Sequence, residues 1–222
     1  MQIQNSGQAR LFKNPVLEAL TKAHPLVIWG MYIPIIGAML WYSYAGLHVA
    51  VWRIVLIFFL AMLSWTLFEY LAHRYIFHMI SRSKRIQKFA YTLHGNHHHY
   101  PRDRQRLFMP PVPSLIISSV LFSAFYLFSG RYAFIFFPGF VLGYLLYASM
   151  HYAIHAWAPP FEWLKPVWRN HQMHHYRNEE KGFGVSSPLW DWVFGTMFDL
   201  RSETDDKAKI QELMFREKEE IS

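Results

Sequence analysis

The chain contains no cysteine in its 222 residues. Disulfides, thiolate zinc sites and protein-bound iron–sulfur clusters are therefore excluded. It is also poor in charge: Asp, Glu, Lys and Arg make up 17%, against 53% apolar and 18% aromatic residues. That balance belongs to a membrane protein. Acidic residues are the scarcer sign, 15 against 22 basic, for a net charge of +7. Beside long apolar runs, this excess points to an anionic lipid surface or an acidic protein partner rather than to nucleic acid. Met1 to Ala9 is polar and lacks the apolar core of a cleaved signal peptide.

The apolar runs set the expected architecture. Leu26 to Tyr44 is 19 residues without a charge, interrupted by Pro34, and predicts a kinked transmembrane helix. Ala45 to His48 is long enough only for a tight turn, so Val49 to Ala72 must return across the bilayer, with Arg53 and Glu69 near its ends. Val112 to Gly130 and Tyr132 to Met150 are two more 19-residue uncharged runs, separated by Arg131. The chain reads as an all-α integral membrane protein with four transmembrane helices in two hairpins, at about 26–44, 49–72, 112–130 and 132–155. It forms one domain over residues 1–222, with a helical cap over 73–111 and 156–200 and a charged tail over 201–222. Within residues 1–25, Leu11, Phe12, Val16, Leu17 and Leu20 among Arg10, Lys13, Glu18 and Lys22 suit a short helix at the membrane surface or a lead-in to the first span.

Basic residues number three before the first run, eight from His73 to Pro111 and nine after His151, while the two hairpin turns hold only Arg53 and Arg131. The positive-inside rule then places both termini and the cap in the cytoplasm.

Ten of the 13 histidines fall into four clusters. His94-x-x-His97-His98 and His171-x-x-His174-His175 share one spacing; His73-x4-His78 and His151-x3-His155 flank them. Positions i, i+3 and i+4 share a helix face, so each triplet is expected to aim three imidazoles at one point. All four clusters fall on the cytoplasmic side, which hydrophobicity alone did not require. Imidazole suits zinc, copper, iron or nickel, and ten ligands exceed a tetrahedral site, suggesting two metals with four to six ligands each. Two redox metals beside lipid could activate dioxygen for attack on an unactivated C–H bond.

These residues and their linkers resemble a known family. The pieces are Glu69-Tyr70-x-x-His73-Arg74-x-x-Phe77-His78; His94-Gly95-x-His97-His98 with Pro101-x-Asp103-x-x-Arg106-Leu107 and Pro110-Pro111; Gly143-Tyr144 through His151-Tyr152-x-x-His155; and His171-x-x-His174-His175 with Gly182-Phe183-Gly184-Val185-Ser186 and Leu189-Trp190-Asp191. From about Arg10 to Asp199 the chain resembles the fatty acid hydroxylase and sterol desaturase superfamily of membrane di-iron oxygenases, most closely the fatty acid 2-hydroxylases. The resemblance implies that His73, His78, His94, His97, His98, His151, His155, His171, His174 and His175 surround two iron ions, with zinc a possible substitute. With dioxygen as co-substrate they would hydroxylate C2 of a long acyl chain, free or in a sphingolipid. The dimetal centre is the catalyst, with no separate acid or base assigned.

The chain departs from the eukaryotic pattern at Ala148, where that pattern has an acidic residue. It also lacks the haem-binding His-Pro-Gly-Gly of a fused cytochrome b5 domain. Electrons are thus expected from a separate cytochrome b5-like or ferredoxin-like protein with its reductase, for which Arg82, Lys84, Arg85, Lys88, Arg102, Arg104 and Arg106 offer a basic docking face. The run Arg82 to Lys88 equally suits lipid headgroups. This short form reads as a bacterial inner or plasma membrane protein, with the endoplasmic reticulum as the eukaryotic equivalent.

Glu69, Asp103 and Asp191 are candidates to hydrogen-bond and orient the ligating imidazoles. Tyr147 and Tyr152 are candidates to line the acyl tunnel. His99 lies outside the triplet register, and His24 and His48 sit at an interface and a turn. Two alternatives remain: a related oxygenase acting on a sterol, carotenoid or other isoprenoid, and a membrane metal-binding or transport protein. The second is disfavoured because spans one, three and four have no charge in their interiors.

Overall fold

The structure is a computed structural model that describes residues 3–198. The predicted charged tail and the last residues of the predicted cap lie outside the described residues. Every regular element among the described residues is helical, as the apolar runs require, since a lipid-facing backbone must satisfy its own hydrogen bonds.

Among the described residues nine α-helices run in order: α1 Pro15–Ala19, α2 Pro25–Trp41, α3 Val51–Ala72, α4 Lys84–Ala90, α5 Asn96–His99, α6 Pro111–Ser129, α7 Ala133–Ala156, α8 Lys165–Tyr176 and α9 Leu189–Val193. Local chemistry sets their ends. Asn14 caps the short α1 by accepting from Val16 and Leu17 N–H, and His24 caps α2 by accepting from Leu26 N–H. Pro25 and Pro111 occupy the first turns of α2 and α6, where a missing N–H costs nothing. Gly130, at φ +55°, ends α6.

Among the described residues three stretches are long and apolar enough to cross a membrane: Pro25–Gly46, Val51–Phe77 and Arg104–Ala156. The uncharged runs predict four. The difference lies in the third stretch, where only the 3-10 turn Gly130–Tyr132 separates α6 from α7.

The chain divides into two compact units. One gathers Phe12–Phe68 and Phe108–Ser149; the other gathers Glu69–Leu107 with the described parts of Met1–Leu11 and Met150–Ser222.

The first unit holds most of the apolar helices. Trp65 of α3 lies against Phe140, Tyr144 and Tyr147 of α7, with ring centroids 5.0, 5.4 and 5.8 Å away. On α6 and α7, Phe122 meets Phe137 and Phe125 meets Phe136. Tyr32 of α2 bonds Ser114 at 2.7 Å and meets the ring of Tyr144.

Two glycines let α7 approach α3. A Cβ on Gly139 would lie 2.2 Å from the Phe58 carbonyl oxygen, and one on Gly143 2.5 Å from Trp65 Cβ. Gly139→Ala should therefore cost about 1–3 kcal/mol, since backbone must move to admit it. Gly37→Ala, with no atom within 4 Å of its new Cβ, should not. Thermal unfolding in detergent separates the two.

The second unit holds all ten clustered histidines.

Candidate metal centre

Four helix ends deliver the histidines. α3 does not stop at Ala72 but loosens into a π turn, His73–Phe77, in which His78 N–H bonds the His73 carbonyl at 3.2 Å. In an α-helix, residues five apart point about 140° away from each other. The wider turn brings the rings of His73 and His78 to 5.1 Å, which explains a spacing that α-helical periodicity does not. A second π turn, Tyr91–Gly95, leads into α5. There Asn96 Nδ2 donates to the carbonyls of Tyr91 and Thr92 at 3.1 and 2.8 Å, satisfying groups that the wider turn frees. α7 carries His151 and His155 one turn apart, and α8 carries the second triplet on a largely buried stretch.

The ten imidazoles form two groups of five: His73, His78, His94, His98 and His174; and His97, His151, His155, His171 and His175. Within each, the ligand atoms lie within 4.8 Å of one another. This corrects the expectation that each triplet converges on one point. Each triplet sends its i, i+4 pair to one group and its i+3 member to the other. His94 and His98 join the first group while His97 crosses to the second; His171 and His175 join the second while His174 crosses to the first. The i+3 and i+4 directions differ by about 100°, enough to straddle two adjacent points. His99 is in neither group; its Nδ1 faces Tyr91 OH at 3.2 Å.

The donor sets suit metal ions. His94 Nε2 lies 3.0 Å from Nε2 of both His73 and His98. His171 Nε2 lies 2.9 and 3.1 Å from those of His155 and His175. Two nitrogens bound at ~2.1 Å to one ion and at a right angle stand ~3.0 Å apart, against ~3.4 Å in a tetrahedron. The close pairs fit a right-angle arrangement, and five donors in each group exceed the four of a tetrahedral zinc site. His97 Nε2 is buried without a hydrogen-bond partner, an uncompensated cost that a cation would relieve.

Backbone carbonyls orient part of the first group. His73 Nδ1 lies 2.6 Å from the Phe183 oxygen and His174 Nδ1 2.7 Å from that of Lys181. With Nδ1–H donating there, each Nε2 keeps its lone pair for a metal. In the second group, the Leu107 carbonyl bonds His151.

The residues around these carbonyls explain the Gly-Phe-Gly-Val-Ser motif. Gly182 adopts φ +71°, and a Cβ on Gly184 would lie 2.3 Å from the Ser187 carbonyl oxygen. Two buried carboxylates grip the segment. Asp191 accepts from Phe183 and Gly184 N–H at 2.9 and 2.8 Å, from Thr196 Oγ1 at 2.8 Å and from Asn170 Nδ2 at 3.3 Å. Glu69 accepts from Val185 and Ser186 N–H at 2.8 and 2.7 Å and from the Ser186 hydroxyl. Glu69 thus reaches His73 through the 183–186 segment. Asp103 instead caps the 3-10 turn Arg104–Arg106, accepting from Gln105 N–H and from Arg106. Asn96 and Asn170 belong to the supporting network, although nothing in their spacing marked them out. Of the tunnel candidates, Tyr147 packs in the Trp65 cluster and Tyr152 lies 5.4 Å from the Trp157 ring.

Burial, reinforced by neighbouring imidazoles, holds His94, His97, His98, His171, His174 and His175 well below the ordinary histidine value. Burial alone lowers His78 to about 4. All seven are neutral at pH 7, as ligation requires. Because these folded values lie below the ~6.5 of an unfolded imidazole, the unfolded chain takes up more protons as pH falls. The stability these groups contribute is complete above ~6.5 and is lost as pH drops through the folded values. Dialysis at pH 7.5 should leave bound metal in place; the melting temperature should fall progressively as pH drops below ~6.5, and metal should be lost only as pH approaches the folded values, near 4 for His78.

Comparison with known proteins agrees with this site. Residues 58–196 match the fatty acid hydroxylase family model. A dihydroceramide fatty acyl 2-hydroxylase of Arabidopsis thaliana is 34% identical over 194 residues, covering 87% of this chain and 81% of that protein. A fatty acid 2-hydroxylase of Rattus norvegicus is 33% identical over 225 residues, covering 90% of this chain but only 59% of its relative. The solved structure of full-length scs7p, in which only the hydroxylase domain is visible, matches with a TM-score of 0.79 at 32% identity, covering 86% of this chain and 73% of that one. With the family model spanning most of its length and the plant relative aligned along four-fifths of its own, this chain belongs to the fatty acid hydroxylase family.

Proposed function

We propose that the protein hydroxylates C2 of a long fatty acyl chain, giving a 2-hydroxy fatty acid or a 2-hydroxyacyl sphingolipid. The observation that carries this reading is the pair of five-imidazole groups in a chain whose relatives are named for acting on fatty acids and dihydroceramide fatty acyl chains. The ten histidines would hold two iron ions, five to each, and zinc could take the same donors. Bound iron supplies the dioxygen activation that imidazoles and carboxylates alone do not. Overall, one oxygen atom of O2 enters the C2–H bond and the other leaves as water, consuming two electrons and two protons.

The chain's own residues position and exclude. The carbonyls of Phe183 and Lys181 hold His73 and His174 with Nε2 turned inward. Burial keeps water from the imidazoles and keeps them neutral. No carboxylate stands in either group, so no acid or base beyond the metal centre is assigned. Tyr147 and Tyr152 are assigned to the acyl chain. With no cysteine and no haem-binding His-Pro-Gly-Gly in these residues, electrons come from a cytochrome b5-like or ferredoxin-like donor outside them.

We further propose that residues 1–222 act as one membrane hydroxylase domain with four spans. The Arg104–Ala156 stretch is 53 residues, about 80 Å as one helix, far beyond a ~30 Å hydrocarbon core. The pairing of Phe122 with Phe137 and of Phe125 with Phe136 supports an antiparallel hairpin. The basic-residue count supports a cytoplasmic active site, in a bacterial inner or plasma membrane or the endoplasmic reticulum of a eukaryote.

The test is lipid mass spectrometry on a host expressing the protein with a compatible reductase under 18O2. One 18O atom at C2 of acyl chains, absent in a His97→Ala/His174→Ala double variant, is the expected result. Unchanged acyl chains in a host where the iron-loaded protein is demonstrably reduced would overturn the assignment and direct the search to sterols and isoprenoids.

A further inference from the structure

From Tyr70 to Arg102 the sequence has no acidic residue, yet it holds Arg74, Arg82, Lys84, Arg85, Lys88 and Arg102. The structure divides the basic face expected from sequence. Arg104 donates to the Ala156 carbonyl and Arg106 is paired with Asp103, so both serve the fold. Arg82, Lys84, Arg85 and Lys88 are exposed, and no carboxylate among the described residues pairs with any of them.

The apolar residues among and beside these cations are exposed as well: Ile80 96%, Ile86 39% and Phe89 54%. On α4, at about 100° per residue, Ile86 and Phe89 share one arc while Lys84, Arg85 and Lys88 occupy the neighbouring one. Only six residues separate α4 from the end of the membrane-crossing stretch at Phe77, a tether of ~20 Å at full extension. An apolar arc bordered by cations that have no carboxylate partner among the described residues, tied that closely to a membrane-spanning helix, has the chemistry of an in-plane interfacial anchor. A soluble acidic partner would account for the cations but not for the exposed Ile80, Ile86 and Phe89 beside them.

We propose that residues 80–89 lie in the surface of an anionic bilayer, with Ile80, Ile86 and Phe89 in the acyl boundary and Arg82, Lys84, Arg85 and Lys88 on lipid phosphates. The inference rests on the membrane-spanning reading of α3 and goes beyond the hydroxylase assignment. Its consequence for that activity is positional. The anchor is bracketed by His78 and His94, two members of the first group, and C2 of an acyl lipid sits beside the carbonyl, at headgroup depth. The anchor would hold the metal centre at the level where C2 is found.

Because the chain has no cysteine, single cysteines at Ile86, Phe89, Gln87 and Leu60 can each carry a nitroxide label. The protein is placed in nanodiscs of phosphatidylcholine and phosphatidylglycerol, three to one. Labels at Ile86 and Phe89 should be relaxed several-fold more by oxygen than by a water-soluble nickel chelate, like the Leu60 control within α3, while Gln87 shows the reverse. Lys84→Glu/Arg85→Glu/Lys88→Glu should return the Phe89 label towards water. If Ile86 and Phe89 are as open to the chelate as Gln87 while Leu60 reports lipid, the anchor is refuted and an acidic protein is the occupant to seek. If the triple variant leaves the Phe89 label at its original depth, the role of the lipid phosphates is refuted. A Leu60 label open to the chelate would overturn the membrane-spanning reading instead.

Discussion

Replacing His94 or His171 with alanine should leave a protein that binds at most one of two metal equivalents and hydroxylates at least ~100-fold more slowly. These two are the hubs of their groups. His94 Nε2 stands about 3 Å from two ligand nitrogens of the first group, and His171 Nε2 equally close to two of the second. Removing either takes out a donor and also opens a buried void against the two imidazoles it contacted. Loss of a residue that merely orients a ligand costs ~10–100-fold in metal affinity or activity, so loss of a central donor should exceed that. His99→Ala is the matched control, since His99 belongs to the same motif yet to neither group; it should retain both metals. Elemental analysis of purified variants reads the outcome independently of turnover. Full metal content in His94→Ala would mean that the first group does not bind as a unit.

The four histidine boxes and the long apolar helices were legible because each leaves a one-dimensional trace, a fixed spacing or an uncharged run. The grouping was not. The rule that i, i+3 and i+4 share a face treats the face as one target, whereas α5 and α8 each serve two. What decides between one target and two is where the other helix supplies its imidazoles, and that is a tertiary fact. His73 and His78 show a different limit. Their spacing of five makes no sense on an α-helix, and nothing apolar in His73–Phe77 announces the π turn that reconciles it. Glu69, one turn before His73, reads as a candidate to orient that imidazole, but its partners stand more than a hundred residues away, on Val185 and Ser186. The motif at Gly182 to Ser186 could be matched to a family by its letters; only the structure shows that its glycines admit a left-handed backbone and the close approach of Asp191.

Asp191→Asn should lower metal content at the first group by about 10–100-fold in affinity while leaving the second group loaded. Asp191 is fully buried. Burial pushes its carboxyl upward, and the donors from Gly184, Thr196, Phe183 and Asn170 pull it back. In asparagine one oxygen becomes an amide that must face donors. Whichever way the side chain flips, it meets N–H or O–H groups that need an acceptor, and each buried donor left unpaired costs about 1–3 kcal/mol. The cost falls on the Phe183–Gly184 segment, whose Phe183 carbonyl fixes the Nδ1–H of His73. Glu69→Gln strikes the same segment from Val185 and Ser186 and should give the same pattern more mildly, since an amide oxygen can still accept from the two backbone N–H groups. A general loss of folding would empty both groups together. Metal stoichiometry near one per chain, with a melting temperature that recovers on saturation with Fe(II), would identify Asp191 as a positioning residue acting through Phe183 on His73. Loss of both metals in parallel would reduce it to a structural capping residue.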